Sequence, residues 1–284
     1  NGGNINISSG AGNIATIETL DAGATSTDGN AGNGGNINIS SGAGNIVTSG
    51  VLDAASTSNS GDAGNSGNIT LSTDSFGSIS TEGRLDAGAT STNGNAGNGG
   101  DINVSSVSGH TEILGLVDSS SYTPYGSARN AGLVSITSTS GNITTGSNIF
   151  SDSFSIADNA GSAGGIFLST ELGNIISNGD LSSSSVSRSG SAQRGGTISL
   201  LAPSGFIQGN RGQIVSISIA ESGNDAGVGG NVTLEGNNIS ELEVFTLSSS
   251  NTSGDVKIQG SENELVIQSL QLTTTGQVEI PAID

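Results

Sequence analysis

Aliphatic residues recur along this chain as pairs two positions apart, each led by glycine and surrounded by polar residues, as in Ile5 and Ile7 or Ile37 and Ile39. Aligned on the first member, the pairs begin at Ile5, Ile37, Ile69, Ile102, Val134, Ile166, Ile198, Val232, Val256 and Val278, at spacings of 32, 32, 33, 32, 32, 32, 34, 24 and 22 residues. The second member follows without exception as Ile7, Ile39, Leu71, Val104, Ile136, Leu168, Leu200, Leu234, Ile258 and Ile280. Period-two alternation predicts a half-buried strand, with Ile5 and Ile7 on one face and Asn4, Asn6 and Ser8 on the other. A second strand is predicted about nine residues on, at Ile14, Ile46, Ile79, Ile113, Ile143, Ile175, Ile207 and Ile239. A third is marked by Leu20, Leu52, Leu85, Val117, Ile149 and Leu181. A polar excursion such as 28–33 follows, in which Gly and Asn tolerate positive φ.

One such unit cannot stand alone, because about six inward aliphatics do not offset a backbone ordering cost of about 1 to 2 kcal/mol per residue. Stacking is therefore required, with each strand pairing to its copy about 4.8 Å along an axis. The expected fold is all-β: a single-stranded, right-handed parallel β-helix with about 32 residues and three short strands per rung, its core roughly 45 Å long. A propeller blade would need about 40 residues and four antiparallel strands, and leucine-rich repeats a different Leu and Asn spacing. Calcium-binding nonapeptide repeats would show tandem Gly-Gly-x-Gly-x-Asp, which only 227–231 approaches.

One continuous solenoid is expected over 1–284, with regular rungs in 1–231 and shortened rungs in 232–284. The last two spacings imply loss of the third strand or of the excursion, and Pro281 would stop further pairing. The chain opens in mid-repeat at Asn1-Gly2-Gly3 with no polar cap over Ile5 and Ile7, as expected of a piece of a longer protein or of an end-to-end assembly.

Composition sharpens this picture. Gly 47 without matching Pro (3) gives only half of a disorder signature, and 3% aromatics leaves a core of Ile, Leu, Val and Ala. Cys 0 excludes disulfides and thiolate sites. A balance of 6 Lys+Arg against 25 Asp+Glu argues against nucleic acid and anionic membrane surfaces, and no apolar run approaches the ~18 residues of a membrane span, so no membrane insertion is expected.

Several positions depart from the repeat. The excursion 118–130 holds both tyrosines, Tyr122 and Tyr125, together with Arg129; Arg188 and Arg194 are placed in the same angular phase. These five residues are the candidates for contact with a sugar or a partner protein, against the plainer reading of loop packing and charge neutralisation. Asp21, Asp53, Asp86 and Asp118 form an acidic ladder in which neighbours repel by about 0.9 kcal/mol in water. A cation such as Ca²⁺ would relieve it; alternatively, each Asp accepts a backbone N–H two residues on and closes a bend. The sequons at Asn6, Asn38, Asn68 and Asn142 read as strand positions of the repeat rather than glycosylation sites. His110 reads as a turn substitution. The cations Arg84, Arg129, Arg188, Arg194, Arg211 and Lys257 form no cluster beyond the Arg129, Arg188 and Arg194 phase, and no nucleophile, base and orienting group fall together. No catalytic residues and no cofactor are expected. An ice-binding Thr-x-Thr face begins at Thr25, Thr27, Thr90 and Thr92, but passes to Ser56 and Ser58 and dissolves.

The Gly-Gly-Asn-Ile-Asn-Ile, Gly-Asn-Ile-x-Thr and Leu-Asp-Ala-x-x-Thr-Ser phases, clearest over 2–100, resemble the repeats of filamentous-haemagglutinin-like, two-partner-secretion exoproteins, most of all long Gly/Asn/Ser-rich cyanobacterial surface proteins. The resemblance implies a right-handed β-helix exported to the outer surface of a Gram-negative-type bacterium as an adhesin or fibrous protein. No functional residue carries over, since the repeats are scaffold. The expected function is an extracellular structural or adhesive rod or filament block that self-associates end to end or laterally, or meets cell-surface glycans. The alternative is a polysaccharide-binding or polysaccharide-cleaving β-helix.

Overall fold

The computed structural model describes residues 1–280 apart from 211, 223, 251 and 261–265, with the backbone alone at 266–272. Pro281 therefore lies outside the described residues. All 30 described strands join one parallel β-solenoid, and no helix occurs among the described residues. The column of first aliphatics is paired in register through all ten members, from Ile5 opposite Ile37 to Val256 opposite Val278.

The structure adds a fourth strand to the three expected. The first turn contains β1 (Ile5–Ser9), β2 (Ile14–Thr16), β3 (Leu20–Asp21) and β4 (Ala24–Ser26), and five further turns repeat this set. Each strand pairs only with its copy one turn away, so the hydrogen bonds run along the axis. The first three strands enclose an aliphatic lobe in which Ile37, Ile39, Ile46 and Leu52 are completely buried, as are their copies above. In the second column Thr111, not Ile113, stands opposite Ile79 and Ile143; Ile113 faces Thr81 and Thr145. The order of the two inward residues is reversed in that one turn.

The fourth strand closes a second lobe of different chemistry. Its inward side chains are small and mostly hydroxylic: Ser56 and Ser58, Ser121 and Thr123, Ser153 and Ser155, Ser185 and Ser187. Each hydroxyl donates to a carbonyl of the return segment in the turn below, for example Ser58 to Gly29 at 2.7 Å, Ser121 to Gly97 at 2.8 Å and Ser155 to Gly126 at 2.6 Å. Burial of these hydroxyls is tolerated because each finds a partner.

Between the lobes every turn is pinched. The return segment crosses the turn and donates an N–H to the corner after β3 or its copy, as Gly35 to Ala22 at 2.7 Å, Gly67 to Ala54 at 2.8 Å and Gly132 to Ser119 at 2.9 Å. The glycines at the pinch stack as Gly3, Gly35, Gly67, Gly100, Gly132, Gly164, Gly196, Gly230, Gly254 and Gly276; from Gly35 upward, a Cβ on any of them would collide with the carbonyl of the glycine below. Positive φ, expected to explain the glycines and asparagines, occurs among the described residues only at Gly29 and Glu241. Close approach of stacked backbones is what most of these glycines serve.

Asparagines bind the turns along the axis. Asn4 Oδ1 accepts the N–H of Asn36, Asn36 that of Asn68, and Asn68 that of Asp101, at 2.8 to 2.9 Å. Parallel ladders run from Asn1 through Asn33, Asn65 and Asn98, and from Asn30 through Asp62 and Asn95. Of the four sequons named above, only Asn6 and Asn38 are strand positions, with Asn38 Nδ2 donating to Asn6 Oδ1 at 2.8 Å; Asn68 and Asn142 belong to corner ladders of this kind.

The taper draws most of its loss from the excursion, one of the two places expected, and the rest from corners. The strand positions survive, because Ile198–Gly209, Gln213–Ala220 and Val232–Ser248 are fused strands that keep the earlier columns. Two residues are lost at each of two corners: 202–206 faces 236–238, and 207–213 faces 239–243. Six more leave the return segment, where 218–230 faces 248–254. Corners are expendable because they carry no ladder of aliphatics.

Two substitutions test these forces. Gly132→Ala is expected to destabilise the chain by several kcal/mol in urea unfolding, since the new Cβ meets Gly100 O and Ser119 Oγ, whereas Gly10→Ala, with nothing within 4 Å, is expected to be near neutral. Thr81 is fully buried and its hydroxyl has no hydrogen-bond partner. Thr81→Val should therefore raise stability by about 1 kcal/mol, a melting shift of a few degrees; a lower melting temperature would refute this.

Candidate ligand-binding groove

The pinch makes the outer wall concave between the third and fourth strands, and three outward columns face one another there. On the third strand the column reads Asp21, Asp53, Asp86, Asp118, Phe150, Ser182 and Val215. On the fourth it reads Thr25, Thr57, Thr90, Tyr122, Phe154, Val186 and Ile219. The corner between them carries Gly23, Ala55, Gly88, Ser120, Asp152, Ser184 and Ile217, small residues in the first turns and larger ones later. The lower groove is thus lined by Asp and Thr, while the upper half is aromatic and aliphatic.

The upper half opens into a cavity of about 670 Å³ lined by Tyr122, Phe150, Asp152, Phe154, Val186 and Arg188, among others. Tyr122 stacks on Phe154 with ring centroids 5.5 Å apart and planes 15° apart, as in-register neighbours along the axis must. The Arg188 guanidinium lies 5.9 Å from the Phe154 centroid, and its Nε is 3.7 Å from Glu221 Oε2. Tyr122 is 41% exposed.

Every Asp of the acidic ladder accepts the N–H two residues on: Gly23 to Asp21 at 2.8 Å, Ala55 to Asp53 at 2.9 Å, Gly88 to Asp86 and Ser120 to Asp118 at 3.0 Å. The repulsion between Asp86 and Asp118 is met by a cation of the chain itself. Arg84 places one guanidinium nitrogen 3.0 Å from Asp86 Oδ2 and 2.7 Å from Asp118 Oδ2. Among the described residues no group of three or more His, Cys, Asp or Glu side chains is placed to hold a metal ion. Burial raises the Asp86 carboxyl from 3.8 to about 6, although Arg84 and the Gly88 N–H pull it down. Asp152 is likewise raised to about 6 by burial; the Ser182 hydroxyl at 2.8 Å and the Ser184 N–H at 2.6 Å hold its Oδ1 and oppose the shift.

Of the five contact candidates, the structure brings only Tyr122 and Arg188 into this groove. Tyr125 is exposed and outside the cavity lining. Arg129 and Arg194 lie on the return segment, where the Arg129 N–H donates to Ser121 Oγ and its carbonyl accepts from Ser153. Arg194 lines a separate shallow depression with Leu133 and Phe167. The shared angular phase of the three arginines is therefore corrected: Arg188 directly follows the fourth strand of its turn, five positions earlier in phase than Arg129. Arg211 lies outside the described residues. His110 substitutes in an asparagine ladder, where its Nδ1 accepts the Asn142 N–H at 3.1 Å. The Thr-x-Thr row continues through Thr57, not Ser56 or Ser58, which point inward, and gives way to Tyr122.

Phe150, Asp152, Phe154 and Val186 were not singled out from the sequence. Their signal was available: Phe154 stands one 32-residue period after Tyr122, and Val186 one period further. No protein-family model matches the chain, and no curated protein or solved structure is significantly similar to it. The chain is a β-solenoid repeat protein, and its resemblance to filamentous-haemagglutinin-like exoproteins rests on the repeat motifs alone.

Asp86 and Asp152 hold a proton more tightly in the folded chain than when unfolded, so the stability they confer is complete below about pH 3.8 and is lost as pH rises through about 6. The melting temperature is expected to fall as pH rises from about 3.8 to about 6 and to level off above that. Asp152→Asn keeps an acceptor for Ser182 and Ser184, and should flatten that profile and raise stability at neutral pH by on the order of 1 kcal/mol. An unchanged profile in the variant would refute the assignment.

Proposed function

We propose that this β-solenoid is a non-catalytic structural or adhesive rod that works outside the cell, with the groove as its principal contact surface. The observation that carries this reading is the unbroken register from Ile5 to Val278: one column of aliphatics and one of glycines repeat over the whole length, with shorter asparagine ladders at the corners, as a stiff element requires. Axial hydrogen bonding gives rigidity without Cys. Polar walls and a net charge of -19 favour solubility. Placement at the outer surface of a Gram-negative-type bacterium follows from the resemblance of the repeats. On the ends and on the polar walls outside the groove, the partners that fit are further copies, end to end or side by side, and surface glycans.

A second reading, a polysaccharide-binding or polysaccharide-cleaving β-helix, is favoured by the groove itself, where Tyr122, Ser120, Ser182 and Ser184 offer hydroxyls beside the Asp118 and Asp152 carboxylates. Electron microscopy of the purified chain separates the two readings. Stiff rods that stack or align with concentration are the expected result. Isolated short particles that release reducing ends from a polysaccharide, with loss of release in Asp152→Asn, would replace the first reading by the second.

A further inference from the structure

Of the two carboxylates that line the cavity, Asp118 and Asp152, only Asp152 has no cationic partner among the described residues. Asp86 and Asp118 share Arg84, and Arg188 is turned to Glu221 and Phe154. The bonds to Asp152 come from a neutral hydroxyl and a backbone N–H, and among the described residues no Lys or Arg forms an ion pair with it. Around it the cavity wall is apolar, built from Phe150, Val186, Val215 and Ile217. A half-buried charge with an open, apolar approach is complementary to a side chain with a cationic head on an aliphatic stem.

We propose that the groove receives a basic side chain from an extended Lys- or Arg-bearing segment of a partner protein, its cationic head on Asp152 and its stem along Phe150, Val186 and Val215. The proposal rests on the reading of the groove as a contact surface and names the chemistry of its partner. The net charge of -19 draws a basic segment in over a distance of about a Debye length and repels an anionic one. A second copy of this chain is a poor occupant, since it carries the same charge and only 6 Lys+Arg, two of which are already engaged in the groove. A neutral glycan is disfavoured by ring geometry: Tyr122 and Phe154 turn their faces to each other along the axis, whereas a sugar stacks on an open face. Burial that lifts the Asp152 carboxyl to about 6 reports the same unanswered charge, which an arriving ammonium group relieves.

The test titrates a capped tetralysine peptide into the full 284-residue chain carrying Tyr125→Phe, so that Tyr122 is the only Tyr and, with Trp 0, the dominant fluorophore; calorimetry provides the affinity. Saturable binding that quenches or enhances Tyr122 is expected, with loss of binding when the lysines are acetylated. Asp152→Asn is expected to weaken it about tenfold, the factor that one charge-assisted contact supplies. Asp74→Asn makes the same charge change at an exposed corner outside the groove and is expected to stay within about twofold. Equal losses in both variants would reduce the effect to diffuse electrostatics and overturn the proposal. So would absence of binding, cellohexaose binding in place of the peptide, or self-association lost on Asp152→Asn. If the peptide fails while micrographs still show rods, this inference falls and the structural reading stands.

Discussion

Axial hydrogen bonding between successive turns is the constraint from which the rest of the molecule follows. Each strand meets only its own copy, so each side chain must tolerate a near-identical neighbour at the turn spacing. Aliphatics, hydroxyls and asparagines satisfy that condition and accumulate; charges do not, and make up 11% of the chain. Even the two kinds of core obey it. Ile and Leu stack by shape in one lobe, whereas Ser and Thr in the other are held by carbonyls of the turn below, which lets the chain close a lobe lined by small, mostly polar side chains.

The groove forms where copies cease to be identical. A column that is Thr in three turns becomes Tyr122 and Phe154, and one that is Asp in four turns becomes Phe150. The scaffold keeps backbone positions fixed while side chains change, so novelty on one wall costs nothing in the ladders behind it. Arg84 illustrates the compensation that repetition demands: it bridges Asp86 and Asp118 across one turn and offsets the repulsion between those two carboxylates.

Much of this was legible in the amino-acid pattern, because strand, stack and column are all fixed by the first aliphatic of each unit. The ten-membered column from Ile5 to Val278 and the third column from Leu20 to Leu181 are as the spacing predicts. The fourth strand was hidden because its inward residues are Ser, Thr and Ala, and hydropathy cannot mark a face buried by hydroxyl-to-carbonyl bonds. Asn and Gly looked like bend formers, since propensity describes a residue within its own chain segment, while here they act on the turn above or below. Thr111 deceived alignment by exchanging places with Ile113, and Arg188 was misphased because register is set by the fourth strand, which was not counted.

The placement of length changes has a historical consequence. The extra residue that makes one spacing 33 falls between Thr73 and Ile79, at the corner with exposed Phe76, and the two extra in the 34-residue turn fall at another corner and in the return segment. A rod of this kind can lengthen by copying whole turns, as the near-identical units from Gly2 and Gly34 show, and can absorb slippage of single codons only where the chain changes direction. Its corners are therefore the places where descent can be traced by insertions, and its strands those where ancestry is preserved by spacing even after the letters have changed.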